Sequence, residues 1–170
     1  MWKDVRQMSS QEIKEELEAL KKVTAVVDYR IIGPIYNKKY WDYFLDKLKL
    51  FPGVLSLLSL LREHGIKLFL LTDFQTEYQF IKLDKLGILD YFDYILTSEE
   101  IGHEKPSSIG FNKILTRFTI NPQHCLMIGD NYEKDILGAR KCNIHTLQFI
   151  NSGNIFNQEQ KQFNSWQTLY

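Results

Sequence analysis

Apolar residues come in two patterns along this chain, spaced stripes and short continuous runs. Ile13, Leu17, Leu20, Val23 or Thr24, Val27 and Ile31 keep a helical spacing, which predicts one apolar stripe on a long helix. Ser9 or Ser10 stands as its N-cap, with Glu12 in the first turn. The second half of the stretch also reads as a short strand, because Val23-Thr24-Ala25-Val26-Val27 is rich in β-branched residues and ends at Asp28. Gly33-Pro34 breaks either element. A second helix is expected over about Ile35 to Leu48. Its aromatics, Tyr36, Tyr40, Trp41, Tyr43 and Phe44, suit a packing face, and a helical lid would look the same.

Past the Phe51-Pro52-Gly53 turn the two patterns alternate regularly. A helix over Val54 to His64 has Pro52 poised at its start and Gly65 at its end. Ile66 to Leu71, interrupted only by Lys67, predicts a strand that stops at Thr72-Asp73. A helix from about Thr76 to Leu86 is closed by Gly87, and Tyr94 to Thr97 follows as a short strand. Lys105-Pro106 precedes a helix from about Ser107 to Phe118. The run from Cys125 ends on Gly129-Asp130, a helix is expected from Tyr132 to Cys142, and His145 to Phe149 is the last strand. Continuous apolar strands separated by helices predict an α/β fold, a doubly wound, Rossmann-like parallel sheet covered on both faces. Right-handed crossovers then bring Thr72, the loop with Lys105, and Asp130 to the carboxyl edge, where ligands bind in such sheets. The chain divides on this reading into 1–49, 50–150 and a polar tail, 151–170, expected to be loosely docked.

Composition narrows the function classes. Among 170 residues, 21 acidic side chains balance 21 basic ones with no basic block, which argues against nucleic acid as a partner. The sharpest apolar run, Val54 to Leu61, is far too short to span a bilayer, and Met1 to Ser10 has no apolar core for a signal peptide. Two cysteines, Cys125 and Cys142, are too few for a disulfide scaffold. A reducing, cytoplasmic location without membrane contact is the expectation.

The chemistry concentrates at the strand ends. Asp130 and Asp135, five residues apart where a strand meets a helix start, suit a hard cation with oxygen ligands, Mg2+ above all. Each residue also has a plain reading: Asp130 as a turn former, Asp135 as a helix-surface charge, Thr72 as a strand end and Lys105 as a surface lysine. Taken in order, Leu70-Leu71-Thr72-Asp73, then Ser98 to Pro106 with Lys105, then Ile128-Gly129-Asp130 to Asp135-Ile136-Leu137-Gly138-Ala139, the set resembles the second, third and fourth motifs of the haloacid dehalogenase (HAD)-like hydrolase superfamily. Phe51-Pro52-Gly53-Val54, Leu86-Gly87-Ile88 and Tyr91-Phe92-Asp93 resemble the linking text of its helical-capped phosphatase branch. By this resemblance, the Thr72 hydroxyl and the Asp73 backbone N–H hold phosphate oxygens, and Lys105 supplies a point charge to the phosphate and the attacking carboxylate. Asp130 holds Mg2+, directly or through water, and Asp135 anchors Lys105 or the metal's surroundings.

One part of the resemblance is missing. The superfamily's first motif is an apolar strand ending in Asp-x-Asp, with the first Asp as nucleophile and the second as general acid/base. No Asp-x-Asp occurs in this sequence, and after Asp28, the nearest nucleophile candidate, Arg30 occupies the second place. Two arrangements account for this. Residues 1–49 are an N-terminal helical cap portion, with the nucleophile strand upstream of Met1, or Val23 to Val27 is a degenerate first strand. The resemblance implies a Mg2+-dependent phosphatase of a small phosphorylated metabolite, without its nucleophile motif in this chain. The alternatives are a catalytically inactive HAD-like binding or interaction module and, from different chemistry, a 2-haloacid dehalogenase.

Overall fold

Short apolar runs become strands and amphipathic runs become helices in the computed structural model, which describes residues 41–150 and 162–169. The readings made for Ser9 to Tyr40, among them the Val23 to Val27 strand, Asp28 and Arg30, lie outside the described residues. The chain divides into two compact units, Met1–Lys49 and Leu50–Tyr170. In the first, helix α1 covers residues 41–47. Its aromatics pack on one another: Trp41 meets Phe44 edge-on at 5.4 Å, and the Lys47 ammonium lies 5.7 Å from the Tyr43 ring centroid.

The second unit opens at Gly53, where φ is +90°. A Cβ there would approach the Gln167 backbone nitrogen to 2.9 Å, so glycine answers both the left-handed turn and the close approach of the C-terminal segment. Helix α2, Val54–Glu63, follows. It ends in a Schellman turn, with Ile66 N–H on Leu61 O and Gly65 N–H on Arg62 O. Strand β1 is Phe69–Thr72, three residues shorter at its start than the apolar run suggests. Asp93 is the reason. Its carboxylate accepts the Leu68 N–H and the Lys67 ammonium, both at 2.9 Å, while Leu68 O accepts the Asp93 N–H.

That cluster has a pH signature. The Leu68 N–H, then Lys67, hold the Asp93 carboxyl below its ordinary value of 3.8. A lowered folded-state value means that the stability Asp93 contributes is complete above 3.8 and is lost as the pH falls through the lowered value. Asp93→Asn is therefore expected to destabilise by about 1–2 kcal/mol at neutral pH. The difference from wild type should disappear below the folded-state value, read from urea midpoints at the two pH values.

Helix α3, Thr76–Lys85, leads to β2, Tyr94–Thr97, which pairs in parallel with β1 in the register Phe69↔Tyr94 to Thr72↔Thr97. A short helix that the apolar pattern does not announce, α4 (Ser98–Ile101), is capped by Thr97, whose Oγ accepts the Glu100 N–H. Helix α5, Ser108–Arg117, is capped by Ser107 and enters after a cis Lys105-Pro106 bond. Strand β3 is Leu126–Gly129, and β4, His145–Phe149, pairs with it in parallel. The single helix expected from Tyr132 to Cys142 is instead a π-helical turn, Tyr132–Leu137, running into a short α6, Gly138–Arg140. Asn131 O accepts both the Asp135 and the Ile136 N–H groups, and this widens the turn.

The C-terminal segment corrects the loosely docked reading where it is described. Gln162–Phe163 forms β5, parallel to β4, and Phe163 is buried. Trp166 lies 5.0 Å from Phe149 and 4.9 Å from Phe163 between ring centroids. A polar composition hid two aromatic anchors.

All strand pairs are parallel, as the fold class requires, but they form two sheets, β1-β2 and β3-β4-β5. β1 and β3 are not hydrogen-bonded to each other, and among the described residues each has one neighbour. Both rest on one helical layer, since Leu71 and Met127 pack against Phe111, Ala139, Cys142 and Ile144. Every residue of β1 is half-buried, and Leu126 is 56% exposed. Among the described residues no helix is long and apolar enough to cross a membrane.

Candidate active site

The carboxyl ends of β1 and β3 meet at Lys105. Its ammonium donates to Asp135 Oδ1 at 2.7 Å and to the Leu71 carbonyl of β1 at 3.0 Å. The side chains of this pair are 12% and 7% exposed. Two of the three ammonium donors are thus committed, and the third has no acceptor among the described residues. Asp135 reaches this position because the wide turn folds it back over Gly129, and its Oδ2 accepts the Asn131 N–H at 3.0 Å. A Cβ on Gly129 would fall within 2.5 Å of Cβ and Cγ of Asp135. Glycine at the end of β3 is what lets the carboxylate lie there.

The other residues singled out in the sequence fall around this pair. Thr72 ends β1 half-buried, and its hydroxyl has no hydrogen-bond partner among the described residues. The Asp73 carboxylate serves a purpose different from the one assigned to its main chain: Oδ1 accepts the Lys105 N–H at 2.9 Å, and Oδ2 pairs with Lys134 at 3.1 Å. Asp130 is exposed just past β3, its carbonyl held by Gln148 Nε2 at 3.1 Å and its carboxylate without a cationic partner among the described residues. Asp28 lies outside the described residues.

Lys134 is the residue that sequence reasoning passed over. Besides Asp73 it binds Glu104 Oε2 at 2.9 Å, and those two carboxylates, Glu104 first, hold its ammonium above the usual lysine range. Asn131 was missed as well. Its carbonyl shapes the turn, and its side chain caps it by accepting the Lys134 N–H at 2.9 Å. The one available signal was position, since both lie between Asp130 and Asp135.

A sequence profile of the "Haloacid dehalogenase-like hydrolase" family matches residues 2–149, and the chain belongs to that family. It is 38% identical to a ribulose-1,5-bisphosphate 5-phosphatase of Halopiger xanaduensis over 65% of this chain and 46% of that protein. It is 37% identical to a glyceraldehyde 3-phosphate phosphatase of Methanopyrus kandleri over 64% of this chain and 47% of that one. The chain spans about half the length of the curated relatives it matches. Among solved structures, a HAD phosphatase from Thermococcus onnurineus aligns with a TM-score of 0.74 at 20% identity, covering 97% of this chain and 86% of that one. A 2-haloacid dehalogenase from Pseudomonas syringae aligns at 0.68 and 20% identity, covering 97% and 70%. At such identities these likenesses establish the HAD-like α/β fold and leave the chemistry to the site.

Proposed function

We propose that this chain carries the phosphate-binding half of a Mg2+-dependent phosphatase that acts on a small phosphorylated metabolite in the cytoplasm. The observation that carries the reading is the buried Lys105–Asp135 pair, with one ammonium donor uncommitted among the described residues, at the strand ends that also bear Thr72 and Asp130. Thr72 Oγ and the Asp73 N–H donate to phosphate oxygens, and the remaining donor of Lys105 meets the same group. Asp135 holds Lys105 in place. The relatives' names, which specify ribulose bisphosphate and glyceraldehyde 3-phosphate, support a small phosphorylated sugar as the substrate class.

Charge supports the metal. The ammonium groups of Lys105 and Lys134 are already paired with Asp135, Asp73 and Glu104, and Asp130 adds a fourth carboxylate. Two cations against four anions would repel a phosphate dianion. Among the described residues no three His, Cys, Asp or Glu side chains gather into a metal-binding group. Among the described residues Asp130 is the one carboxylate that would hold such an ion, and an ion with few protein ligands and a preference for oxygen donors suits Mg2+. When bound, Mg2+ supplies positive charge to the phosphate oxygens. The nucleophilic carboxylate is assigned to the superfamily's first motif, for which Asp28 is the candidate within this sequence.

Titration calorimetry with inorganic phosphate is expected to show binding that requires Mg2+ and weakens at least about tenfold in Asp130→Asn. Phosphate binding indifferent to Mg2+ would sink the reading. A parallel assay with p-nitrophenyl phosphate decides the nucleophile: turnover abolished by Asp28→Asn assigns it to Asp28, and binding without turnover leaves it outside this sequence. The latter outcome also favours the second reading, a non-catalytic HAD-like binding module, which the absence of Asp-x-Asp supports.

A further inference from the structure

Lys134 ties together three loops that the site depends on. Its ammonium joins Asp73 Oδ2, after β1, to Glu104 Oε2, in the loop before α5, at 3.1 and 2.9 Å. The second oxygen of Asp73 receives the main-chain N–H of Lys105 at 2.9 Å. The backbone carrying Lys105 is thus fixed at its own nitrogen by a carboxylate, and that carboxylate is fixed by Lys134. The Lys134 and Asp73 side chains are 39% and 15% exposed, and a pair so open to water contributes little to stability. Its geometry matters more. With one donor of Lys105 on Asp135 and one on Leu71 O, the direction of the third is set by where the Lys105 main chain sits.

We propose that Lys134 is a positioning residue for Lys105, acting through Asp73. The inference rests on the reading that Lys105 meets the substrate phosphate. It differs from a surface ion pair in what it predicts for the Lys105 amide, a group Lys134 does not touch.

The test is amide hydrogen exchange by NMR on the full chain, beside calorimetry with inorganic phosphate and Mg2+. In Lys134→Met the Lys105 amide should exchange about tenfold faster, as its acceptor loses its anchor. Phosphate affinity should fall severalfold with the urea midpoint little changed. Lys134→Arg, which keeps the charge and can still bridge two carboxylates, should restore both. A Lys105 amide that ignores Lys134→Met overturns the proposal, and so does an altered amide with unaltered phosphate affinity. Wild-type protein that binds no phosphate overturns the underlying reading of the site instead, while the amide still reports whether the clamp exists.

Discussion

Asp135→Ala is expected to lower the unfolding free energy by about 3–5 kcal/mol, the cost of leaving one member of a buried ion pair alone. Its Oδ1 is the ion partner of Lys105 at 2.7 Å, and its Oδ2 accepts the Asn131 N–H at 3.0 Å. The substitution strands an ammonium that is 12% exposed and a main-chain N–H in the same turn. Because both side chains are sheltered, the loss should persist at high salt, where an exposed pair would be screened. Asp135→Leu combined with Lys105→Met removes both charges and should recover a large part of the loss. Urea unfolding of the single and double variants measures this. A loss below about 1 kcal/mol in Asp135→Ala would show a pair that behaves like a surface contact.

The pair also has an architectural consequence. Among the described residues no ladder joins β1 to β3, and side chains bridge the two sheets at their carboxyl ends. Lys105 bonds the Leu71 carbonyl of β1 and the carboxylate lying over Gly129 of β3. Lys134 ties the turn after β3 to Asp73, after β1. Leu71 and Met127 also pack against one apolar cluster, Phe111, Ala139, Cys142 and Ile144. Among the described residues, β1 pairs only with β2 and β3 only with β4.

How far the sequence announces this arrangement depends on how local each cause is. Tyr94–Thr97 and His145–Phe149 begin and end where the local sequence predicts. The start of β1 is not where it predicts, since Asp93, some 25 residues away, takes the Leu68 N–H out of the ladder. The wide turn after β3 leaves no periodic trace, as it arises when one carbonyl, Asn131 O, accepts two N–H groups. Gln162–Phe163 was hidden in polar text because its partner strand ends 13 residues earlier. At the site, spacing and resemblance bring Thr72, Lys105, Asp130 and Asp135 to one edge. They do not reveal Lys134, whose partners Asp73 and Glu104 come from loops 61 and 30 residues away.

Gly129→Ala is expected to cost about 3 kcal/mol, the upper range for overpacking, and to do so without replacing a charged residue. The φ of Gly129 does not require glycine, so backbone strain is not the cause. The cause is space: the new methyl would overlap Oδ2, Cβ and Cγ of Asp135. Of these, Cβ is bound to the main chain and cannot swing aside, so the turn itself must move and take the carboxylate away from Lys105. Gly110→Ala is the contrast. Its methyl would meet the Leu71 Cδ1 end at 2.8 Å, which can rotate, and should cost under about 1.5 kcal/mol. Since Gly129→Ala acts by breaking the same ion pair as Asp135→Ala, the two losses should fall well short of additive in the double variant. Full additivity in urea unfolding would mean that the Gly129 methyl is accommodated without disturbing Asp135, and that the close fit of carboxylate to glycine does not hold Lys105 in place.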